Sequence, residues 1–159
     1  LPYTGISIGW EWSPAPSPCR ENKIHHNHIH NIMQPLSDGG GIYMLGLQPG
    51  SVITDNLIHD VTLNVGRAES NGMFLDEGAT DLIIENNIIY NIAKSPLRFH
   101  KAFKNTVRNN TLMTLSGNPV IRYNSTREED IFQQDNLLLD PDNDDHQKQL
   151  LISVEQWKK

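Results

Sequence analysis

Short apolar stretches recur along this chain around asparagine. The template apolar, two residues, Asn, one residue, apolar, two residues, apolar fits Ile24-Asn27-Ile29-Ile32, Ile53-Asn56-Ile58-Val61, Ile84-Asn87-Ile89-Ile92 and Val107-Asn110-Leu112-Leu115. A weaker fifth copy runs from Asp130 to Leu138 around Asn136. The five asparagines are 29, 31, 23 and 26 residues apart, and a period of roughly 20–50 residues marks a solenoid, propeller or array. Each copy leaves room for two short strands about an Asn turn and for no long helix. Coils stacked at ~4.8 Å, the normal strand spacing, bring Asn at one angular position into a ladder of side-chain amides. The pattern therefore predicts an all-β chain, a parallel β-helix solenoid of about five coils.

In chain order, the first strand carries Ile6 and Ile8 inward, with Trp10, Glu11 and Trp12 at its exit. Ser13 to Pro18 is Pro-rich and reads as a surface loop, because Pro cannot serve an interior ladder. Gln34 to Gly41 reads as a turn, its three glycines allowing positive φ. Ile42-Tyr43-Met44-Leu45 is the second strand, residues 62–71 a polar loop, and Gly72 to Glu77 the third strand. Pro96 to Lys101 and Asn118 to Tyr123 take the equivalent places in the next two coils. The tract Asp140-Pro141-Asp142-Asn143-Asp144-Asp145 reads as a solvated loop, and Leu150 to Trp157 as a strand or the start of a short helix. One domain is expected over residues 1–159, with 140–159 its less regular C-terminal segment. Residue 1 opens almost directly on a strand and the last residues bring no closing element. Because solenoids need capped ends, the ends are expected to be uncapped and the chain a central piece of a longer protein, lacking its own flanking coils.

This register makes one parallel sheet of five equivalent strands. Its outward positions offer Trp10 and Glu11, Tyr43, Asp76 and Glu77, Arg98 and His100, and Arg122. Acids, cations and aromatics share one groove, a mixture suited to a sugar with apolar ring faces and hydroxyl edges. The net charge is −6 and no basic patch tracks along the chain, which argues against a nucleic-acid partner. No apolar run reaches the length of a membrane span. The single cysteine, Cys19, excludes an internal disulfide framework.

The runs Gly5 to Trp12, Ser37-Asp38-Gly39-Gly40-Gly41-Ile42-Tyr43 to Gly50, and Phe74-Leu75-Asp76-Glu77-Gly78 resemble the right-handed parallel β-helix glycoside hydrolases of pectin-lyase-like fold. They are most similar to glycoside hydrolase family 141, which includes fucosidase and xylanase activities. The resemblance covers nearly the whole chain. It implies a polysaccharide or oligosaccharide substrate, no cofactor, an extracellular or periplasmic location, and two catalytic aspartates at Asp38 and Asp76. Trp10, Glu11, Tyr43, Glu77, Arg98 and His100 are the expected substrate-binding groups.

Hydrolysis of a glycosidic bond needs two carboxyl groups, ~5–5.5 Å apart for retention and ~6.5–9.5 Å for inversion. On a straight strand Asp38 and Asp76 would stand roughly 20 Å apart, so the pair requires the glycine turn to fold back over the groove. Glu11, leaving its strand at the same end as Asp76, is the rival partner. Glu77 is a third candidate, although neighbouring strand residues point to opposite faces. A lyase on the same fold would instead draw its base from Arg98, His100 or Lys101, and a non-catalytic binding segment would leave the acids as surface decoration. The histidines between His25 and His30 do not complete a zinc set, because the Asn27 turn breaks their alternation and no Cys or acid cluster joins them. No metal is expected.

Overall fold

A computed structural model describes residues 1–63, 66 and 69–159. Five coils of three strands follow one another. The first holds β1 (Ile6–Ile8), β2 (Lys23–His25) and β3 (His28–Ile32). The second holds β4 (Gly39–Leu45), β5 (Val52–Thr54) and β6 (Leu57–Val61), and the third β7 (Ser70–Asp76), β8 (Ile83–Glu85) and β9 (Ile88–Ile92). The fourth holds β10 (Leu97–His100), β11 (Asn105–Arg108) and β12 (Thr111–Met113), and the fifth β13 (Ile121–Asn124), β14 (Ile131–Gln134) and β15 (Leu137–Leu139). Strands in the same place in each coil pair in parallel, giving three five-stranded sheets. The all-β solenoid expected from the repeat is the fold.

The sharp corner between the second and third strands of each coil is made by two residues. His26, Asp55, Asn86, Asn109 and Asp135 have φ between 51° and 56°, the left-handed region that His, Asp and Asn tolerate best among residues with a side chain. The next residue is always the ladder asparagine. Asn27, Asn56, Asn87 and Asn110 each donate Nδ2 to Oδ1 of the Asn one coil on, at 2.8, 2.9, 3.0 and 2.9 Å. Asn136 ends the ladder and donates to the Val107 carbonyl. Inside the coils the aliphatic side chains stack in columns, Ile24 on Ile53 on Ile84 on Val107 in one sheet and Ile29 on Ile58 on Ile89 on Leu112 in another. In the fifth coil the first column meets Gln133, which is why that copy of the repeat is the weak one.

The run Gly39-Gly40-Gly41 is not a turn. It is the start of β4, in register with β7, and the turn falls one residue earlier at Asp38, φ 70°. The glycines answer a packing constraint instead. A Cβ on Gly5, Gly41 or Gly72 would lie 2.6, 2.6 or 2.4 Å from Cγ2 of Ile29, Ile58 or Ile89. Here the first sheet presses directly on the third. Gly72→Ala is therefore expected to cost roughly 1–3 kcal/mol, read as a lowered urea midpoint with an unchanged slope. The loop placed at 62–71 ends sooner than expected, since Ser70 and Asn71 are in β7. Its residues 64, 65, 67 and 68 lie outside the described ones.

The segment 140–159 is more regular than expected. Asn143 caps α1 (Asp144–Trp157), its side chain accepting from the Asp145 and His146 amides. The acidic tract thus supplies the cap and the first helical turn, where negative charge suits the helix dipole. Leu150 and Val154 bury against Leu57, Ile88, Met113 and Leu139 on the outer face of the third sheet. At the other end Trp157 donates Nε1 to the Asp55 carbonyl at 2.6 Å. A 14-residue helix is ~21 Å long, about four coil spacings, so α1 braces the stack along its axis. Among the described residues no helix is long and apolar enough to cross a membrane.

Candidate acid–histidine site on the first sheet

The first sheet turns Ile42, Met44, Met73, Leu75, Leu97 and Phe99 inward. The intervening residues Tyr43, Phe74, Asp76, Arg98, His100 and Arg122 therefore share its outer face. Asp76 ends β7 opposite Leu45. His100 follows Phe99, which pairs with Leu75, and so stands beside Asp76 one coil on.

Asp76 is 3% exposed. Its Oδ2 accepts the Tyr43 hydroxyl at 2.7 Å. Its Oδ1 meets His100 Nδ1 at 2.6 Å and accepts the Glu77 amide at 3.0 Å. Burial, then the hydrogen bond to Asp76, push the Tyr43 hydroxyl far above its ordinary pKa, so it stays a donor. A carboxylate only accepts. With Asp76 ionised, His100 therefore carries its proton on Nδ1 and leaves Nε2 free as a base, the arrangement by which a buried Asp orients a catalytic imidazole.

Glu77 does not point away from Asp76. Its φ is 40°, so strand alternation ends and its carboxylate swings back to the same side. Glu77 Oε1 lies 3.9 Å from His100 Nδ1 and 2.7 Å from Lys101 Nζ. One donor atom each from Asp76, Glu77 and His100 fall within 4.8 Å of one another, a set of the kind that takes a divalent cation. Lys101 already holds Glu77, and Tyr43 and His100 already hold Asp76.

Phe74 and Arg98 lie behind this cluster. Arg98 is 6% exposed, with its guanidinium carbon 4.2 Å above the Phe74 ring. Its Nη1 is 3.1 Å from Glu69 Oε2 but not aligned for a hydrogen bond. Arg122 shares Glu69 with it. Arg98 and Tyr43, expected to meet substrate, are thus buried: Tyr43 holds Asp76, and Arg98 stands on Phe74 beside Glu69. Burial holds the Arg98 guanidinium below its ordinary pKa, while Asp76, Asp38 and Tyr43 pull the other way.

Asp38 is exposed at the entry to β4, and its carbonyl accepts the Tyr3 hydroxyl at 2.7 Å. The glycines do not fold back, yet the field of Asp38 still reaches Tyr3, Tyr43 and Arg98, the same three groups that feel Asp76. Glu11 is exposed, with its carbonyl packed over Gly46, while Gly46 donates its amide to the Asp76 carbonyl. Pro14 packs on Gly78. The Pro-rich loop therefore passes over the exits of β4 and β7, and Trp10 and Trp12, just before it in the chain, are exposed. Tyr3 and Glu69 had no signal in the sequence, since each reaches the site from a distant turn.

Residues 5–131 match the family described as "Right handed beta helix region". The chain belongs to that family. The strands of this right-handed β-helix up to Ile131 carry the match, and α1 lies beyond it. No curated protein matches the chain. One solved structure, described as "Glycoside hydrolase", is similar at 23% identity and a TM-score of 0.46, over 94% of this chain and 20% of that one. The β-helix thus spans a fifth of that protein, and a likeness of that size carries no function across.

Proposed function

We propose that this β-helix hydrolyses glycosidic bonds of a polysaccharide at the exit end of its first sheet, with Asp76 and Asp38 as the two carboxyl groups, Asp38 reaching along β4 toward Tyr43, whose hydroxyl feels both acids. The observation that carries the reading is Asp76 itself, a buried carboxylate fixed by three hydrogen bonds at the exit of β7. Nothing in the packing of the coils requires a charge there, and a buried charge is costly unless it is held. Asp76 serves as the nucleophile or as the base that activates water, and exposed Asp38 as the proton donor. Trp10 offers an apolar face to a sugar ring, while Glu11, Glu77 and His100 meet hydroxyls. The resemblance to glycoside hydrolase family 141 belongs to this reading, as does a place of action outside the cell or in the periplasm.

A second reading is favoured by the contact between His100 Nδ1 and Asp76. A free imidazole Nε2 beside Lys101 is the equipment of a lyase that removes a proton next to a sugar carboxylate and expels the glycosidic oxygen. Product analysis separates the two. Incubation with neutral and acidic polysaccharides is expected to yield new saturated reducing ends. Unsaturated, ultraviolet-absorbing ends would replace the hydrolase with the lyase. Activity that survives in both Asp38→Asn and Asp76→Asn would overturn the paired-carboxylate mechanism.

A further inference from the structure

A second cluster of titratable groups lies on a different face, the outside of the third sheet. Ile29 and Ile58 turn inward there, so His28, His30 and His59 turn outward from β3 and β6. The Nε2 atoms of His28 and His59 face one another at 2.8 Å. The other nitrogen of His59, Nδ1, lies 2.8 Å from Asp60 Oδ2. Asp60 reaches back because its φ is 54°, and its second oxygen is held by Asn91. The His30 ring lies parallel to His59, with centroids 5.1 Å apart.

We propose that His28 and His59 form a surface site for a divalent transition-metal ion of the zinc, nickel or copper type, with Asp60 as its orienting group. Two features support it. First, a metal-bound histidine usually gives its other N–H to a carboxylate, which fixes the tautomer and turns the lone pair toward the ion. His59 has that arrangement: Asp60 takes the Nδ1 proton and leaves the Nε2 lone pair toward His28. Second, the spacing is close to what an ion needs. Two imidazole nitrogens at ~2.0–2.1 Å from a tetrahedral metal stand about 3.3 Å apart, so the pair opens by roughly half an ångström when the ion replaces the shared proton. Imidazole suits zinc, copper and nickel alike. His28 is exposed, so water fills the remaining positions. The ion would tie the first coil to the second where α1 ends, because the Trp157 ring is 5.7 Å from His28.

The site is independent of the reading of the first sheet, and Trp157 supplies a readout that needs no activity. The chain has three tryptophans, so Trp10→Phe with Trp12→Phe leaves Trp157 alone. Cu²⁺ or Ni²⁺ titrated into this chain, free of any affinity tag, is expected to quench Trp157 saturably at one ion per chain, and excess Zn²⁺ to restore the signal. His28→Ala and His59→Ala should each raise the midpoint at least about tenfold. Asp60→Asn should raise it roughly 10–100-fold, and His100→Ala should leave it alone. If His59→Ala fails to fold, the exposed His28 decides. The proposal is overturned if the midpoint is unmoved in His28→Ala, if His25→Ala or His26→Ala moves it as far, or if His100→Ala abolishes binding and so places the ion at the acidic cluster.

Discussion

Asp76→Asn is expected to lower kcat on the polysaccharide substrate by roughly 10²–10⁴-fold, the range lost with a positioned acid or base, while KM and the folded state are largely kept. The substitution is isosteric. An Asn oxygen still accepts from the Tyr43 hydroxyl, and the amide NH2 in place of Oδ1 faces His100 Nδ1 (2.6 Å from Asp76 Oδ1 in the wild type), at the loss of the one bond from the Glu77 amide. What changes is the proton. An amide NH2 donates to Nδ1, so the His100 proton moves to Nε2 and the ring no longer presents a lone pair outward. Asp76→Asn therefore removes the carboxylate and disarms the imidazole together. His100→Gln separates them. If Asp76 attacks the sugar or activates water, His100→Gln costs much less than Asp76→Asn. If His100 is the base of an elimination, the two losses are equal. The measurement is kcat and KM for both variants on one substrate, with melting temperatures as the folding control. An unchanged kcat in Asp76→Asn overturns both chemistries at this site.

The coils were legible because their signal is local and periodic. Each corner needs a residue that accepts positive φ followed by Asn, and five copies of that pair stand in the chain. The glycines of β4 were misread because glycine answers two different demands, and the second depends on a distant contact. Gly41 is bare because Ile58, in another sheet, occupies the space a Cβ would need. Alternation counted against Glu77 as a partner of Asp76, but alternation holds only while the strand continues. Glu77, Lys101 and Ser125 close successive strands of the first sheet with φ of 40°, 50° and 48°, a corner with no residue type in common. Helix α1 was legible only as one of two alternatives over Leu150 to Trp157, for a third reason. Its apolar stripe is only Leu150, Val154 and Trp157, and what holds it is Leu57, Ile88 and Met113 from coils far back in the chain. The His28–His59 pair is of the same kind, since 31 residues separate partners that stacking brings to 2.8 Å. Within one coil the histidines appeared to lack an acid, and the neighbouring coil supplies Asp60.

Asn87→Ala is expected to be among the most damaging single changes to stability, and Asn27→Ala a mild one, although both remove an asparagine of the same ladder. The Asn87 side chain donates to the Asn110 Oδ1, to the Ile53 carbonyl and to the Glu85 carbonyl. It accepts from both the side chain and the backbone amide of Asn56. It is fully buried, so water cannot replace what is lost. Its two N–H hydrogens are shared among three acceptors, so the loss is about three bonds at ~1 kcal/mol each plus the Asn56 amide left unpaired at ~1–3 kcal/mol, on the order of 5 kcal/mol against a typical total stability of about 5–15 kcal/mol. Asn27 is half-buried, and among the described residues its side chain bonds the Asn56 Oδ1 and the His25 carbonyl. Its loss should cost about 1 kcal/mol. Urea unfolding of the two variants tests the difference, and equal midpoints would mean that the interior of the ladder carries no more stability than its edge. Asn87→Asp sharpens the test. A carboxylate cannot donate to the three oxygens that Asn87 serves, so the folded state disfavours its charge and raises its pKa above the unfolded ~3.9. The folded chain then binds more protons than the unfolded one between those two values. Stability of this variant should accordingly rise as pH falls through that window, the opposite of what an ion-paired carboxylate produces.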